Sequence, residues 1–336
     1  MEKAEAKRGK WWFSGWQKRI VFFIFLALFP LLLHDPVFIH VLVISCLFGM
    51  MGIAWSLIAG YTGQFSLGHC VFFGVGAYTS TILYMKYNLS PWIGMFLGAL
   101  IAVLVALTVG YICLTLRGPF FALATMAVAE LFRIFAIYLK NLTGGSIGLL
   151  MHFQPNFVNF IFRDKNSYLW IILSLTVIFY YVTRSITHGR IGYYLIAIRE
   201  DEDAAKMLGI NTMRYKATAL AISAFITAIG GTFYAQYILY ISPYEIFSFD
   251  ISIQLAFVSI LGGMGTLTGP ILGSLLITPL NEFLRATLGE YQSLYLVFYG
   301  IVMIIIVIMM PEGLLNWLKI LSKKVLFKRA NAPQNI

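Results

Sequence analysis

From residue 20 to residue 310 the chain is a succession of apolar runs, with charged residues largely confined to the short stretches between them. A helix rising 1.5 Å per residue needs about 20 apolar residues to cross the hydrocarbon of a bilayer. Inside that hydrocarbon each backbone N–H and C=O must find its partner within the protein, so runs of this length fold as helices. Composition points the same way. Of 336 residues, 60% are hydrophobic and 11% charged, against roughly 25% charged in a soluble domain. A single soluble core of this size could not hide so much apolar surface. The expected class is an all-α polytopic integral membrane protein, which excludes a soluble enzyme, a secreted scaffold and a disordered regulator.

Runs near 20–34, 37–60, 66–86, 91–115, 119–139, 168–183, 215–241, 249–264, 268–288 and 292–310 predict about ten transmembrane helices. The first run is short and the boundary at 262–269 is nearly continuous, so nine or eight spans stay open. Twenty-four Lys and Arg against fourteen Asp and Glu give a net charge of +10, a balance that elsewhere suggests nucleic acid. Here the basic residues flank apolar runs, so the expected counter-surface is the anionic leaflet of the lipid bilayer and no nucleic acid. With both termini cytoplasmic, eighteen basic residues fall inside and six outside, as the positive-inside rule requires. The implied organisation is a basic cytoplasmic N-terminus 1–19, a transmembrane body 20–310 containing a cytoplasmic loop 184–214, and a basic cytoplasmic tail 311–336. No small-x-small cleavage site precedes Pro36, which favours an uncleaved first span over a signal peptide. No GxxxxGK[ST] stretch occurs, so no ATP-binding domain is expected here. Cys46, Cys70 and Cys113 lie singly in or beside apolar runs and read as small apolar side chains.

The loop around 184–214 is the most informative stretch outside the membrane. Residues 192–208 read as one helix with Leu195, Ile198, Ala205 and Leu208 on a common stripe. Arg199, Glu200, Asp201, Glu202 and Asp203 form its charged middle, and Glu202 stands four before Lys206, the favourable order for a helical ion pair. Gly209 supplies a stop, and Asn211 or Thr212 can cap the next helix. The adjacent alanines Ala204 and Ala205 would let another backbone approach closely.

Two glycine-rich interruptions separate apolar runs. The first, 60–68, includes Gly63, Gln64, Ser66 and Gly68; the second, 262–269, includes Gly262, Gly263, Gly265 and Thr266. Irregular backbone at membrane depth is tolerated only when buried in protein or lining a cavity. Both a break lining a path and a short turn whose glycines serve helix packing fit the composition. Paired broken segments nevertheless point to a midplane site. Glu130 and Arg133 are three apart and share a face, where they can pair with each other or mark function. His69 reads as a satisfied packing histidine. No HExxH, Cys/His cluster or nucleophile–base set is present, so neither metal nor catalytic residues are expected.

The string from Asp203 to Gly209 resembles the EAA-x3-G loop of ABC importer permeases, with Asp where Glu is usual. Gly60 through His69 and on to Tyr78 resembles the GQxSLGHxxFxGxGAY signature of branched-chain amino-acid ABC transporter permeases of the LivM type. Leu116 through Ala122 and Glu130 resembles their LRGxYFA…E segment, with Pro119 and Phe120 replacing a commoner x-Tyr pair. Thr143 through Leu149 matches TGGxxGL, and Gly262 through Pro270 matches GGxGTxxGP; Gly189-Arg190 and Ala197 through Glu200 resemble the two parts of GRxxxAIRE, with six residues between them where the pattern has three. The matches fall in order across roughly 45–310.

This resemblance implies a permease in the cell inner membrane that binds no cofactor itself and is not an enzyme. ATP would be used by two ABC ATPase subunits, a second permease would complete a heterodimer, and an external substrate-binding protein would deliver leucine, isoleucine or valine. Arg199, Glu200, Asp203, Ala204, Ala205 and Gly209 would couple to the ATPases. Gly63, Gln64, Ser66, Gly68, Glu130, Gly262, Gly263, Gly265 and Thr266 would line the path. A urea or short-amide permease of the same superfamily shares these motifs. A secondary transporter coupled through Glu130 or Asp250 is the rival from another class.

Overall fold

The computed structural model describes residues 35–288, 292–309 and 313–314. The expected first span at 20–34, the N-terminus 1–19 and nearly all of the tail 311–336 lie outside the described residues. The first described helix, α1 (Pro36–Thr62), opens with Asp35 as its cap: the carboxylate accepts from the Val37 N–H at 2.9 Å, and proline follows at the first helical position, where it loses no hydrogen bond. Then come α2 (His69–Tyr87), α3 (Pro91–Cys113), α4 (Pro119–Tyr138), the short α5 (Lys140–Thr143), β1 (Leu149–Leu150) and α6 (Lys165–Thr187). The 184–214 loop supplies α7 (Arg190–Glu200) and α8 (Glu202–Met207). The chain continues through α9 (Thr212–Ile238), β2 (Tyr240–Ile241), the short α10 (Pro243–Ile246), α11 (Phe249–Gly263), α12 (Gly269–Leu288) and α13 (Gln292–Met309).

Among the described residues six helices are long and apolar enough to cross a membrane: α1, α3, α4, α6, α9 and the stretch Pro243–Gly263 formed by α10 and α11 together. The chain is thus an all-α polytopic membrane protein, and the six helices found among the described residues stand at six of the ten expected spans. Helices α2, α12 and α13 stand at expected places but are not among the six. In α2 the glycines, hydroxyls, His69 and Lys86 dilute the apolar run, and in α12 Pro279, Asn281, Glu282 and Arg285 do so. The two-residue antiparallel ladder β1–β2 pairs Leu149 with Ile241 and Leu150 with Tyr240, fastening the 140–164 loop to the end of α9.

Helices α1 and α9 form the centre. Nearly all of α1 from Val43 to Thr62 is buried, as expected of a helix apolar on every side. Lipid gives helices no hydrophobic reason to associate, so close packing needs small residues. On α3 the buried stripe is Gly94, Gly98, Ala102, Ala106 and Gly110, one every four residues, while Phe96, Leu100, Leu104, Leu107 and Tyr111 point outward. A Cβ at Gly76 of α2 would lie 2.1 Å from the Ala228 carbonyl oxygen of α9, so these backbones touch. Cys46, Cys70 and Cys113 are buried free thiols. Helix α4 is peripheral, with only Phe121, Thr125, Ala129 and Ala136 buried.

Candidate functional site

The first interruption separates α1 from α2. Helix α1 ends at Thr62, Gly63 takes the left-handed conformation at φ 73°, and helix resumes only at His69. Gln64, Ser66 and Gly68 are buried all the same, so the freed backbone must be satisfied by protein. The Trp55 indole donates to the Ser66 carbonyl at 2.8 Å, and the Leu67 N–H donates to Thr125 Oγ1 at 3.0 Å. His69 is fully buried. Ser223 Oγ donates to the Ala54 carbonyl at 2.6 Å, so it accepts from His69 Nε2 at 2.8 Å. That leaves His69 Nδ1 to accept from Ser66 Oγ at 3.0 Å. The histidine is therefore the satisfied packing residue expected. Gln64 Oε1, in contrast, is buried without a partner. Behind α4, an apolar recess lined by Val71, Val105, Val109, Phe121, Val128 and Leu220 reaches Ser66 and Thr125.

The second interruption separates α11 from α12. Gly263 and Gly265 adopt φ of 122° and 76°, and Thr266 Oγ1 donates to the Gly263 carbonyl at 2.7 Å while accepting the Gly269 N–H at 3.2 Å. Gly262 abuts Gly269 so closely that a Cβ there would meet the Gly269 oxygen at 2.0 Å. The two breaks also meet each other: a Cβ at Gly60 would fall 2.5 Å from Gly265 N. The fold thus brings into contact two interruptions about two hundred residues apart in the chain.

Arg199, on α7, lies where they meet. Its Nη1 donates to the Gly60 carbonyl at 2.9 Å, and its Nη2 reaches Glu200 Oε1 at 2.8 Å. A Cβ at Gly63 would lie 3.1 Å from Arg199 Cγ, and one at Gly265 3.4 Å from Arg199 Nη1. The guanidinium thus reaches the first break and lies against the second. Leu195 and Ile198, buried on the same helix, hold α7 against the bundle.

The single helix expected over 192–208 is two helices. Asp201 leaves the helical region at φ −156°, ψ 111°, and its carboxylate caps α8 by accepting from the Asp203 and Ala204 N–H groups at 2.9 and 3.0 Å. An aspartate offers the backbone this local alternative to helix, which the continuous apolar spacing concealed. The break resets the helical phase. Ala205 stays inside at 2% exposure, but Leu208, expected on the same stripe, is 81% exposed beside Met207 at 89%. Ala204 and Gly209 are exposed with them. Asn211 caps α9 by accepting from the Arg214 N–H.

An ion network fixes α8 in place. Arg117 makes two hydrogen bonds to the Asp203 carboxylate, at 2.8 and 2.6 Å. Glu202 takes Lys216 at 2.6 Å, Lys206 at 3.1 Å and Arg117 at 3.7 Å. The Glu202–Lys206 pair is the one expected. Arg117 and Lys216 were not assigned roles from sequence, and Lys216, 1% exposed in its side chain, looks there like one more flanking charge. The Arg117 bonds hold the Asp203 carboxyl below its usual range. Burial pushes Glu202 upward, but the Lys216 and Lys206 bonds outweigh it and the net shift is downward. Glu130 is not part of this cluster. It lies on α4, paired with Arg133, whose guanidinium also sits 5.5 Å from the Tyr244 ring centroid. Among the described residues no three His, Cys, Asp or Glu converge as a metal site would require.

Residues 37–307 match the family described as the permease component of branched-chain amino acid transport systems. The chain belongs to that family. It is 28% identical to the high-affinity branched-chain amino acid transport system permease protein LivM of Escherichia coli (strain K12), over 82% of this chain and 69% of that protein. It is 24% identical to the corresponding LivH of Salmonella typhimurium, over 80% of this permease and 91% of that one. A shorter stretch, 35% of the chain, is 27% identical to the ribose import permease protein RbsC of Haemophilus influenzae, over 36% of that protein. No solved structure matches the permease.

Proposed function

We propose that this permease is one subunit of an ATP-driven importer for leucine, isoleucine and valine in the cell inner membrane, with ten spans and both termini cytoplasmic. The observation that carries the reading is Arg199, which bonds the 184–214 segment to the first interruption at Gly60 and lies against the second at Gly265. Ala204, Met207 and Leu208 project from the same segment as an exposed apolar edge. Two ABC ATPase subunits dock on that edge. A second permease of LivH type pairs with this chain, which the similarity to both LivM and LivH supports, and an external binding protein delivers the amino acid. Closure of the ATPases displaces α7 and α8 as a unit, Arg199 carries the displacement to Gly60 and Gly265, and the breaks at 63–68 and 264–268 shift with them. The path runs past Gly63, Gln64, Ser66, Gly68, Gly262, Gly263, Gly265, Thr266 and Glu130. The unpartnered Gln64 Oε1 is a polar contact available to substrate or to backbone in the alternate state.

The test is co-purification from membranes. Leu208→Arg places a charge on the exposed edge and should abolish recovery of the ATPases while the permease stays folded. Ala205→Arg, aimed at a buried residue, would instead disrupt the loop itself. Leucine uptake that survives ATP depletion and collapses with the ion gradient would refute the reading.

A further inference from the structure

Helix α4 presents an uncovered face: Phe120, Leu123, Leu131, Ile134 and Tyr138 are 57–80% exposed. Lipid could cover those side chains, but it is a poor neighbour for what lies among them. Glu130 and Arg133 sit about 16 and 21 Å from the first residue of a helix about 30 Å long, within the hydrocarbon thickness. Their side chains are 52% and 32% exposed. Ionised groups at such depth face a protein interior or a water-filled cavity. One Glu130 oxygen is taken by one Arg133 nitrogen, and Arg133 Nε is buried without an acceptor. The pair is self-neutral yet incompletely satisfied.

We infer that Glu130 and Arg133 form a subsite for the zwitterionic backbone of the transported amino acid, on the face of α4 that lines the path. This deepens the importer reading and rests on it. Arg133 takes the α-carboxylate and Glu130 the α-ammonium. An α-amino acid carries those two charges on groups bonded to one carbon, and residues three apart on a helix are neighbours able to meet both. The exchange leaves no charge uncompensated: one ion pair within the protein becomes two between protein and substrate. Because site and substrate are each neutral overall, no fixed counter-charge traps the cargo. Met126 and Ile134, exposed one turn to either side of Glu130, offer apolar surface for a branched side chain.

The test uses the full importer in proteoliposomes, with leucine supplied by its binding protein. Glu130→Gln and Arg133→Gln should each lower leucine uptake about tenfold or more, the loss of a charge-assisted hydrogen bond. ATPase recovery and binding-protein-stimulated hydrolysis should persist, showing that the complex still assembles. The double variant separates a subsite from a structural pair. A subsite stays impaired when both charges are removed, whereas recovery of uptake in the double variant would overturn the proposal. In a second measurement, Glu130→Cys should react with a membrane-impermeant thiol reagent and be protected by leucine. The three described native cysteines are buried and give little background. A Glu130→Cys that never labels lies against lipid or protein and also overturns the subsite. If the wild-type importer carries no branched-chain amino acid, the functional reading fails with this ligand assignment, whereas failure of the subsite alone appears only in the variants.

Discussion

Replacing Arg199 with alanine should uncouple hydrolysis from transport without dismantling the complex. The Gly60 carbonyl belongs to the last turn of α1, where helix carbonyls lack intrahelical partners. The N–H that would normally reach it, Gln64 N, turns instead to the Ile58 oxygen at 3.4 Å. Arg199 Nη1 at 2.9 Å takes its place. A hydrogen bond from a charged donor contributes about 1.5–3 kcal/mol. The Arg199 side chain is 42% exposed, so water can replace part of that bond and the lower end applies. About 1.5 kcal/mol corresponds to roughly tenfold in the equilibrium linking the loop to the break. The assay is leucine imported per ATP hydrolysed in the reconstituted importer, which should fall about tenfold while hydrolysis and assembly stay near wild type. Arg199→Lys keeps the charge but not the fork that serves Gly60 and Glu200 together, and should recover part of the ratio. Glu200→Gln is the control. Its carboxylate is 67% exposed, and such a surface pair contributes about 0–1 kcal/mol, so the ratio should barely move. An unchanged ratio in Arg199→Ala would refute the reasoning, as would an effect of Glu200→Gln equal to it.

Gly60→Ala drives a methyl to 2.5 Å from Gly265 N and 2.8 Å from Gly265 Cα. Backbone cannot yield as a side chain does, so thermal stability should fall by about 1–3 kcal/mol and uptake should fall with it. Lys216→Met strips Glu202 of its 2.6 Å partner but leaves Lys206 and Arg117. Breaking a buried pair costs about 3–5 kcal/mol; with the remaining partners the loss should lie below that range, and adding Glu202→Gln should restore most of it. Acidity tests the Arg117–Asp203 contact. The folded Asp203 carboxyl is depressed, so its contribution is complete above the ordinary carboxylate range and is lost only as pH falls through the depressed value. Hydrogen exchange over 201–209, corrected for intrinsic rates, should therefore stay flat from pH 8 to 5 and rise only in stronger acid.

What the sequence made legible follows from what dominates each level. Membrane class and helix positions came through because apolar runs of span length report burial in lipid directly. The glycine breaks came through as interruptions, since Gly63, Gly263 and Gly265 occupy conformations that glycine adopts readily. Their mutual contact did not, because residues 60 and 265 share no local pattern. The split at Asp201 was hidden by an apolar spacing that reads on through it, although an aspartate followed by an acidic residue and then Asp203 is a usable cap signal. Lys216 was missed for a different reason. Near a span end a lysine usually reports orientation, and only the fold shows this one buried against Glu202.

Polar contacts give the 184–214 segment three exits into the bundle, Glu202 to Lys216 on α9 among them, and they lead to different places. Arg199 passes to Gly60 and the Gly265 turn, so displacement of α7 reaches the broken helices at once. Asp203 passes to Arg117, which stands two residues before α4, and α4 carries Glu130 and Arg133. A helix held mainly by a stripe of four buried residues and backed by an apolar recess can tilt with little loss of packing. The Asp203–Arg117 bonds thus give α8 a link toward the exposed ion pair that is separate from its Glu202–Lys216 tie to α9 in the packed centre. The charged residues at the loop and the sparse charges in α4 are then parts of one arrangement. In the proposed importer, ion pairs would transmit force where solvent is near, and a single self-neutral pair would meet the cargo where it is not.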